Sequence, residues 1–171
     1  MPVAADLAWS DDGKGRIVPG QETAIACART ARFAMEQDPA ALIVITAGRA
    51  GIRWKSVHMA HVMADDITYR LKVDSSRVIT AMADTFDTDG EMRMLADTVR
   101  EQIPDCSEVV LFVKWWHAKR AQWLCEHHLK RVGLPIPVKL SICPTYAPAW
   151  TILKEQWFGM LHNRIRMLFR R

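Results

Sequence analysis

Short apolar runs alternate with longer amphipathic stretches along the chain, and this alternation restricts the fold more than any other feature of the sequence. Four runs, at residues 42–45, 78–80, 109–113 and 138–142, have the length of strands. Strands that alternate with helical patterns form parallel sheets covered by helices. With a further strand at residues 3–9, the sequence predicts a Rossmann-like α/β fold. We expect a three-layer sandwich on a mostly parallel five-stranded sheet.

The predicted helices span residues 22–37, 56–71, 88–103 and 118–132, and a last one begins at Trp150. Half of the 171 residues are hydrophobic and a quarter are charged, which is the composition of a globular chain. No internal repeat or long linker interrupts the pattern. We therefore expect residues 1–171 to form one domain.

The C-terminal stretch, residues 149–171, forms a basic amphipathic pattern. It carries five basic side chains and one acidic one, a net charge of +4 that equals the charge of the whole chain. The body is therefore neutral, which argues against a nucleic-acid-binding protein, whose positive charge would spread over the body. The apolar side chains at helical spacing are Trp150, Leu153, Trp157, Leu161, Ile165 and Leu168. We expect this helix to pack on the sheet. Peripheral contact with a membrane and a homodimer interface are the alternatives.

Neither a membrane-spanning segment nor a metal site is predicted. The longest apolar run falls far short of about 20 residues, and the N-terminus lacks the basic start of a signal peptide, so we expect a cytoplasmic protein. The four cysteines contain no CxxC pair, and we expect Cys27 and Cys125 to be buried apolar side chains. His58 and His61 lie three residues apart, but no third ligand is in register with them.

Loops at the carboxyl ends of parallel strands are where such folds bind ligands. The four loops are residues 10–15, 46–55, 83–88 and 114–120. In the first, Asp11 and Asp12 could bind polar ligand groups. In the second, Gly48 allows close backbone approach and Arg49 supplies charge, so the pair could hold an anion, although an ordinary strand–helix loop explains the pattern equally well.

The fourth loop places His117 at a helix start, with Arg120 one turn later. A helix N-terminus disfavours a second positive charge, so we expect a neutral imidazole that could act as an acid, a base or an oxyanion donor. Capping of the helix, or simple solvation, is the structural alternative.

The third loop offers Asp84, Thr85, Thr88 and Glu91 as ligand contacts. Thr88 and Glu91 also fit a capping box, with Thr88 as the N-cap residue and Glu91 three residues later. Turn chemistry could account for Asp84 and Thr85.

The order of these motifs resembles the YdcF-like family, which includes SanA-like and ElyC-like bacterial envelope proteins. The residues that carry the resemblance are the Thr46-Ala47-Gly48 end of a strand, the segment 85–91 with its Thr-x-x-Thr-x-x-Glu pattern, and His117-x-x-Arg120-Ala121. Lys114 and Trp115 stand where the family has Thr and Ser, and Glu91 stands where it has Asn.

The resemblance implies a Rossmann-like fold and a small-molecule ligand at the strand ends. S-adenosylmethionine and envelope lipid-carrier or sugar phosphates are the ligands it implies. We expect a phosphorylated or nucleotide-like ligand, with His117 and Arg120 able to catalyse transfer or hydrolysis. The alternative is a non-catalytic sensing or interaction module that docks on a membrane or a partner through its basic C-terminal helix.

Overall fold

The computed structural model describes residues 7–10, 16–48, 57–82, 87–146 and 149–153, together with Gly159, Leu161 and Ile165. The strands are β1 (Leu7–Trp9), β2 (Ile17–Pro19), β3 (Ile43–Ile45), β4 (Val78–Thr80), β5 (Val109–Lys114) and β6 (Val138–Cys143). The helices are α1 (Gln21–Arg32), α2 (Met59–Asp65), α3 (Thr88–Gln102), α4 (Ala118–Arg131) and α5 (Ala149–Leu153). Helices α1 and α2 continue into π-helical turns, and the chain is of mixed α/β class, as predicted.

The strands β3 and β4 form one parallel pair, in which Ile43 lies beside Val78 and Ile45 beside Thr80. The helix α2 connects them, because parallel neighbours need a crossover. Their apolar side chains share one core cluster with α1 and α2, and it contains Cys27, Ala31, Ala34, Ile43, Ile45, Ala60, Ile67 and Val73.

The strands β5 and β6 form a second parallel pair, six residues long, connected by α4. A second core cluster lies between this pair and the helices α3 and α4. Its members are Met92, Leu95, Ala96, Val99, Val109, Leu111, Ala121, Leu124, Cys125, Leu129 and Val138. The two cores are not separate, because Val44 of β3 packs against the second cluster and α1 contacts both β5 and β6.

The expected five-stranded sheet is wrong for the described residues, where the strands pair two by two. A cavity borders both β3 and β5, and these two strands do not hydrogen-bond to one another. Consecutive residues of β3 and of β5 line this cavity. If the cavity lay on the face of a sheet, only every second residue of a strand would border it. The two strand edges therefore face a cleft.

The N-terminal strand also differs from the expectation. Its described part, β1, pairs antiparallel with β2, a strand that the sequence analysis did not predict. Only seven residues, 10–16, separate the two strands in the sequence, and antiparallel hairpins need no crossover. This hairpin contacts α1 and α2 through β2.

The C-terminal amphipathic helix is described only as α5, with three isolated residues beyond it. Trp150 is 65% exposed, and Leu153, Leu161 and Ile165 are also exposed. These four side chains are not part of the buried core, and packing of the whole stripe on the sheet stays a prediction. No helix among the described residues is long and apolar enough to cross a membrane.

Candidate functional site

The cleft between the two parallel pairs has a volume of about 1450 Å³ and ends in a group of polar side chains. Gly48 follows β3, Thr88 and Glu91 lie in the first turn of α3, and His117 and Arg120 lie at the start of α4. All five line the same cleft. Two strand ends and two helix starts thus converge there, as parallel topology requires.

Thr88, His117 and Arg120 form a closed triangle of polar contacts. The hydroxyl oxygen of Thr88 is 3.2 Å from Nε2 of His117. Nη2 of Arg120 donates to the same hydroxyl oxygen at 3.0 Å and lies 3.3 Å from Nδ1 of His117. The three side chains, from two different helices, hold one another in place.

These contacts define the proton arrangement on His117. A guanidinium group can only donate, so Nδ1 accepts from Arg120 and carries no proton. In a neutral ring the proton then lies on Nε2, and Nε2–H donates to Thr88. The neutral imidazole expected from the sequence is compatible with these contacts and stays a prediction.

Capping does not account for these residues. Asp87, not Thr88, is the N-cap of α3, and its Oδ1 accepts from the backbone N–H of Gly90 at 2.7 Å. The capping-box interpretation is therefore wrong. His117 precedes α4 but makes no side-chain cap hydrogen bond, so capping does not explain it either. Both Thr88 and His117 direct their polar atoms into the triangle instead.

Glu91 reaches across the cleft to the end of β3. Its Oε1 accepts from the backbone N–H of Gly48 at 3.4 Å, and the carbonyl of Gly48 accepts from the N–H of Met59 at the start of α2. Burial raises the pKa of Glu91 to about 7, although the Gly48 hydrogen bond and the charge of Arg120 oppose the shift. A carboxyl group that titrates near neutral pH can both hold and release a proton.

Two residues that the sequence analysis did not select also belong to this end of the cleft. Nζ of Lys114, the last residue of β5, pairs with Oε2 of Glu22 at 2.5 Å, and both residues line the cleft. Glu22 lies in the first turn of α1, a helix that starts at the same edge. The rule that helix starts and strand ends converge could have identified this pair.

The proposed site residues Asp11, Asp12, Arg49, Asp84 and Thr85 lie outside the described residues. Of the expected contacts, the structure brings together Gly48, Thr88, Glu91, His117 and Arg120. Three of the four predicted loops therefore contribute to one end of the cleft.

Neither Cys27 nor Cys125 offers a reactive thiol to this site. Cys27 and Cys125 are fully buried, as predicted, and burial raises the pKa of each thiol to about 12. A buried thiol with such a pKa is a poor nucleophile.

His58 and His61 contact each other with ring centroids 6.2 Å apart. Across the described residues, no three His, Cys, Asp or Glu side chains form a group that could hold a metal ion.

No protein-family model, curated protein or solved structure matches this chain.

Proposed function

We propose that the protein binds a phosphorylated or nucleotide-like small ligand at the polar end of the cleft. The observation that carries this proposal is the triangle of Thr88, His117 and Arg120, which presents a hydroxyl, an imidazole and a guanidinium group at one place. The planar guanidinium group can donate two parallel hydrogen bonds to phosphate oxygens, and it remains charged at every physiological pH.

The surroundings of the triangle support binding of an anion. Arg120 is half-buried. An anion that binds it is partly removed from water, and hydrogen bonds between charged groups are stronger there. Lys114 adds a second cation that lines the same cleft, although Glu22 balances its charge. A ligand with a polar head and a less polar body fits this distribution of groups.

We propose further that a reaction at this site is transfer or hydrolysis at a phosphate-bearing substrate. His117 would act as the acid–base group, because a neutral imidazole can give up one proton and accept another. Arg120 would stabilise the charge that develops on the substrate. The carboxyl group of Glu91, with its pKa near 7, offers a second group for proton transfer besides His117.

The family assignment remains part of this proposal. Membership of the YdcF-like family and a Rossmann-like arrangement are supported by the parallel pairs β3–β4 and β5–β6 and by the placement of His117 and Arg120 at the strand ends. S-adenosylmethionine is a candidate ligand through the resemblance alone.

A binding screen tests the proposal directly. Inorganic phosphate, adenosine monophosphate, S-adenosylmethionine and a sugar phosphate would be titrated by isothermal calorimetry and by thermal shift. We expect at least one phosphorylated compound to bind and Arg120→Ala to weaken it by about tenfold or more. Arg131→Ala, which removes an exposed cation at the end of the same helix, is the matched control. Unchanged melting and no heat with every compound would refute the ligand site.

His117→Ala then separates a catalyst from a sensor. In a catalyst, this variant loses turnover but keeps much of its affinity for the ligand. In a sensor, the wild-type protein is stabilised by the ligand and forms no product.

The alternative function, a module that docks through its C-terminal helix, is favoured by the exposed apolar side chains of Trp150, Leu153, Leu161 and Ile165. We propose peripheral contact with an anionic membrane surface, because this stretch also carries the net positive charge of the chain. Flotation with anionic vesicles tests it, with a Trp150→Ser/Leu153→Ser variant for comparison. Flotation of neither protein would exclude the membrane contact, and equal flotation of both would exclude Trp150 and Leu153 as the contact. Concentration-dependent dimerisation would indicate a second copy as the partner.

A further inference from the structure

The indole N–H of Trp116 is buried without a hydrogen-bond partner in the described part of the chain. Trp116 is only 8% exposed and lines the cleft, directly before His117. Buried tryptophan N–H groups usually find an acceptor, since leaving a donor unpaired and away from water is unfavourable. An unsatisfied donor beside a site is therefore an observation that needs an explanation.

The neighbouring residue Trp115 has a hydrogen-bond partner, so the missing acceptor is specific to Trp116. Trp115 is 42% exposed, and its Nε1 donates to the backbone carbonyl of Thr145 at 2.9 Å. Two consecutive indoles after β5 thus differ in function. Trp115 attaches the turn to the segment after β6, whereas Trp116 lines the cleft and its buried N–H has no partner among the described residues.

The position of Trp116 identifies the kind of acceptor that would fit. Its ring centroid lies 5.6 Å from that of His117, and Nζ of Lys114 lies 5.7 Å from the Trp116 ring centroid. The indole thus lies beside the imidazole of His117 and the ion-paired ammonium group of Lys114. The neutral indole N–H complements the charged donor Arg120, because it can orient an acceptor oxygen without adding another positive charge.

We propose that Trp116 is a specificity-determining residue whose indole N–H donates to a phosphoryl oxygen of the bound ligand. The inference rests on the proposed function, because it assumes the anion held by His117 and Arg120. The indole N–H of Trp116, which follows β5, would add one directional hydrogen bond to this anion. An anionic ligand without an acceptor oxygen at this place would leave the indole unpaired and bind more weakly.

Nuclear magnetic resonance provides the test with the full chain. The seven tryptophans give separate indole N–H cross-peaks in ¹⁵N-labelled protein, and Trp116→Phe and Trp115→Phe identify the two that matter. Inorganic phosphate and adenosine monophosphate serve as probes. We expect a saturable downfield shift of the Trp116 indole proton and no comparable shift for Trp115.

The affinity of the variants gives an independent measure. We expect Trp116→Phe to weaken phosphate binding by about tenfold, because it removes one hydrogen bond but keeps most of the aromatic volume. Trp115→Phe should bind phosphate like the wild-type protein. If Trp116→Phe does not fold, the wild-type titration still decides, since through-bond experiments assign its indole peaks.

The failures of the two proposals are distinguishable. If phosphate shifts the ring resonances of His117 while the Trp116 indole stays unmoved, the role of Trp116 is refuted and the anion site stands. If phosphate and adenosine monophosphate move neither residue, both the anion site and the role of Trp116 are refuted.

Discussion

The hydroxyl oxygen of Thr88 lies 3.2 Å from Nε2 of His117, which joins the first turn of α3 to the turn before α4. The two residues are 29 positions apart, and β5 runs between their helices. Because Arg120 occupies Nδ1, this contact positions the one proton that the imidazole carries. Thr88 is therefore a positioning residue for His117.

Replacing Thr88 by valine removes the hydroxyl acceptor and preserves the branched shape. We expect ligand affinity to fall by about five- to tenfold, because the imidazole loses the group that orients it. The ring ¹⁵N shifts of His117 should show the Nε2–H tautomer in the wild-type protein and a tautomer mixture in Thr88→Val.

The control for this prediction is Thr68→Val. Thr68 also carries a helical hydroxyl, which donates to the carbonyl of Ala64, but it does not line the cleft. An unchanged tautomer in Thr88→Val would show that Arg120 alone orients the ring.

The sequence predicted the site residues at strand ends and helix starts better than the hydrogen bonds between them. Strand ends and helix starts follow from local patterns, so Gly48, His117 and Arg120 were found. The capping box failed because Asp87 and Thr88 are both good N-cap residues, and local sequence does not decide between them. The bond from Glu91 to Gly48 depends on how two distant segments are placed.

Strand pairing was the least predictable part of the fold. The residues of β3 and β5 have the apolar character of buried parallel strands, and this character does not reveal which strand lies beside which. The strand β2, with only three residues and a proline, gave no signal at all. Pairing depends on contacts between distant parts of the chain, and a single sequence does not display them.

Glu91 should make the stability of the protein depend on pH. Its pKa is raised from 4.5 to about 7 in the folded state, so the folded protein binds the extra proton. Its contribution is fully present below pH 4.5 and decreases as the pH rises toward 7. The free energy of unfolding therefore falls by at most about 3 kcal/mol, which is the size of the pKa shift multiplied by the free energy of one pKa unit.

Glu91→Gln removes this titration and keeps the shape of the side chain. Urea unfolding at pH 5 and pH 8 measures the effect in both proteins. We expect the variant to gain stability relative to the wild-type protein at pH 8, but much less at pH 5. A difference that is equal at both pH values would contradict the raised pKa of Glu91.

His128 and Asp89 join α4 to α3 inside the protein. Nε2 of His128 lies 2.9 Å from Oδ1 of Asp89, and both residues are buried. His128→Ala removes this donor from a buried carboxylate, so we expect the free energy of unfolding to fall by about 2–4 kcal/mol. Since Asp89 follows Thr88, ligand affinity should fall as well.

The neighbouring residue His127 provides the control. It is exposed on the same helix, and His127→Ala should change the free energy of unfolding by less than about 0.5 kcal/mol. Urea unfolding and phosphate titration of both variants measure the two effects. If His128→Ala loses stability but binds phosphate normally, the pair supports the helices without positioning Thr88.

Arg77 connects the end of α1 with the chain before β3. Its Nη2 donates to the carbonyl oxygens of Ala34 at 2.9 Å and of Ala41 at 2.8 Å, and it reaches that of Asp38 at 3.4 Å. These are carbonyls at and just beyond a helix end, where intrahelical partners are missing. One guanidinium group thus satisfies several acceptors, and its charge is favourable at a helix C-terminus.

Arg77→Ala should therefore lower the free energy of unfolding by about 2–3 kcal/mol, because the carbonyls of Ala34 and Ala41 lose their part-buried donor together. Arg77→Lys should recover only part of this loss, since one ammonium group cannot reproduce the planar fork. Arg100→Ala, which removes a cation from exposed ion pairs on α3, should cost less than about 1 kcal/mol. Equal losses in Arg77→Ala and Arg100→Ala during urea unfolding would show that water replaces the guanidinium group at these carbonyls without penalty.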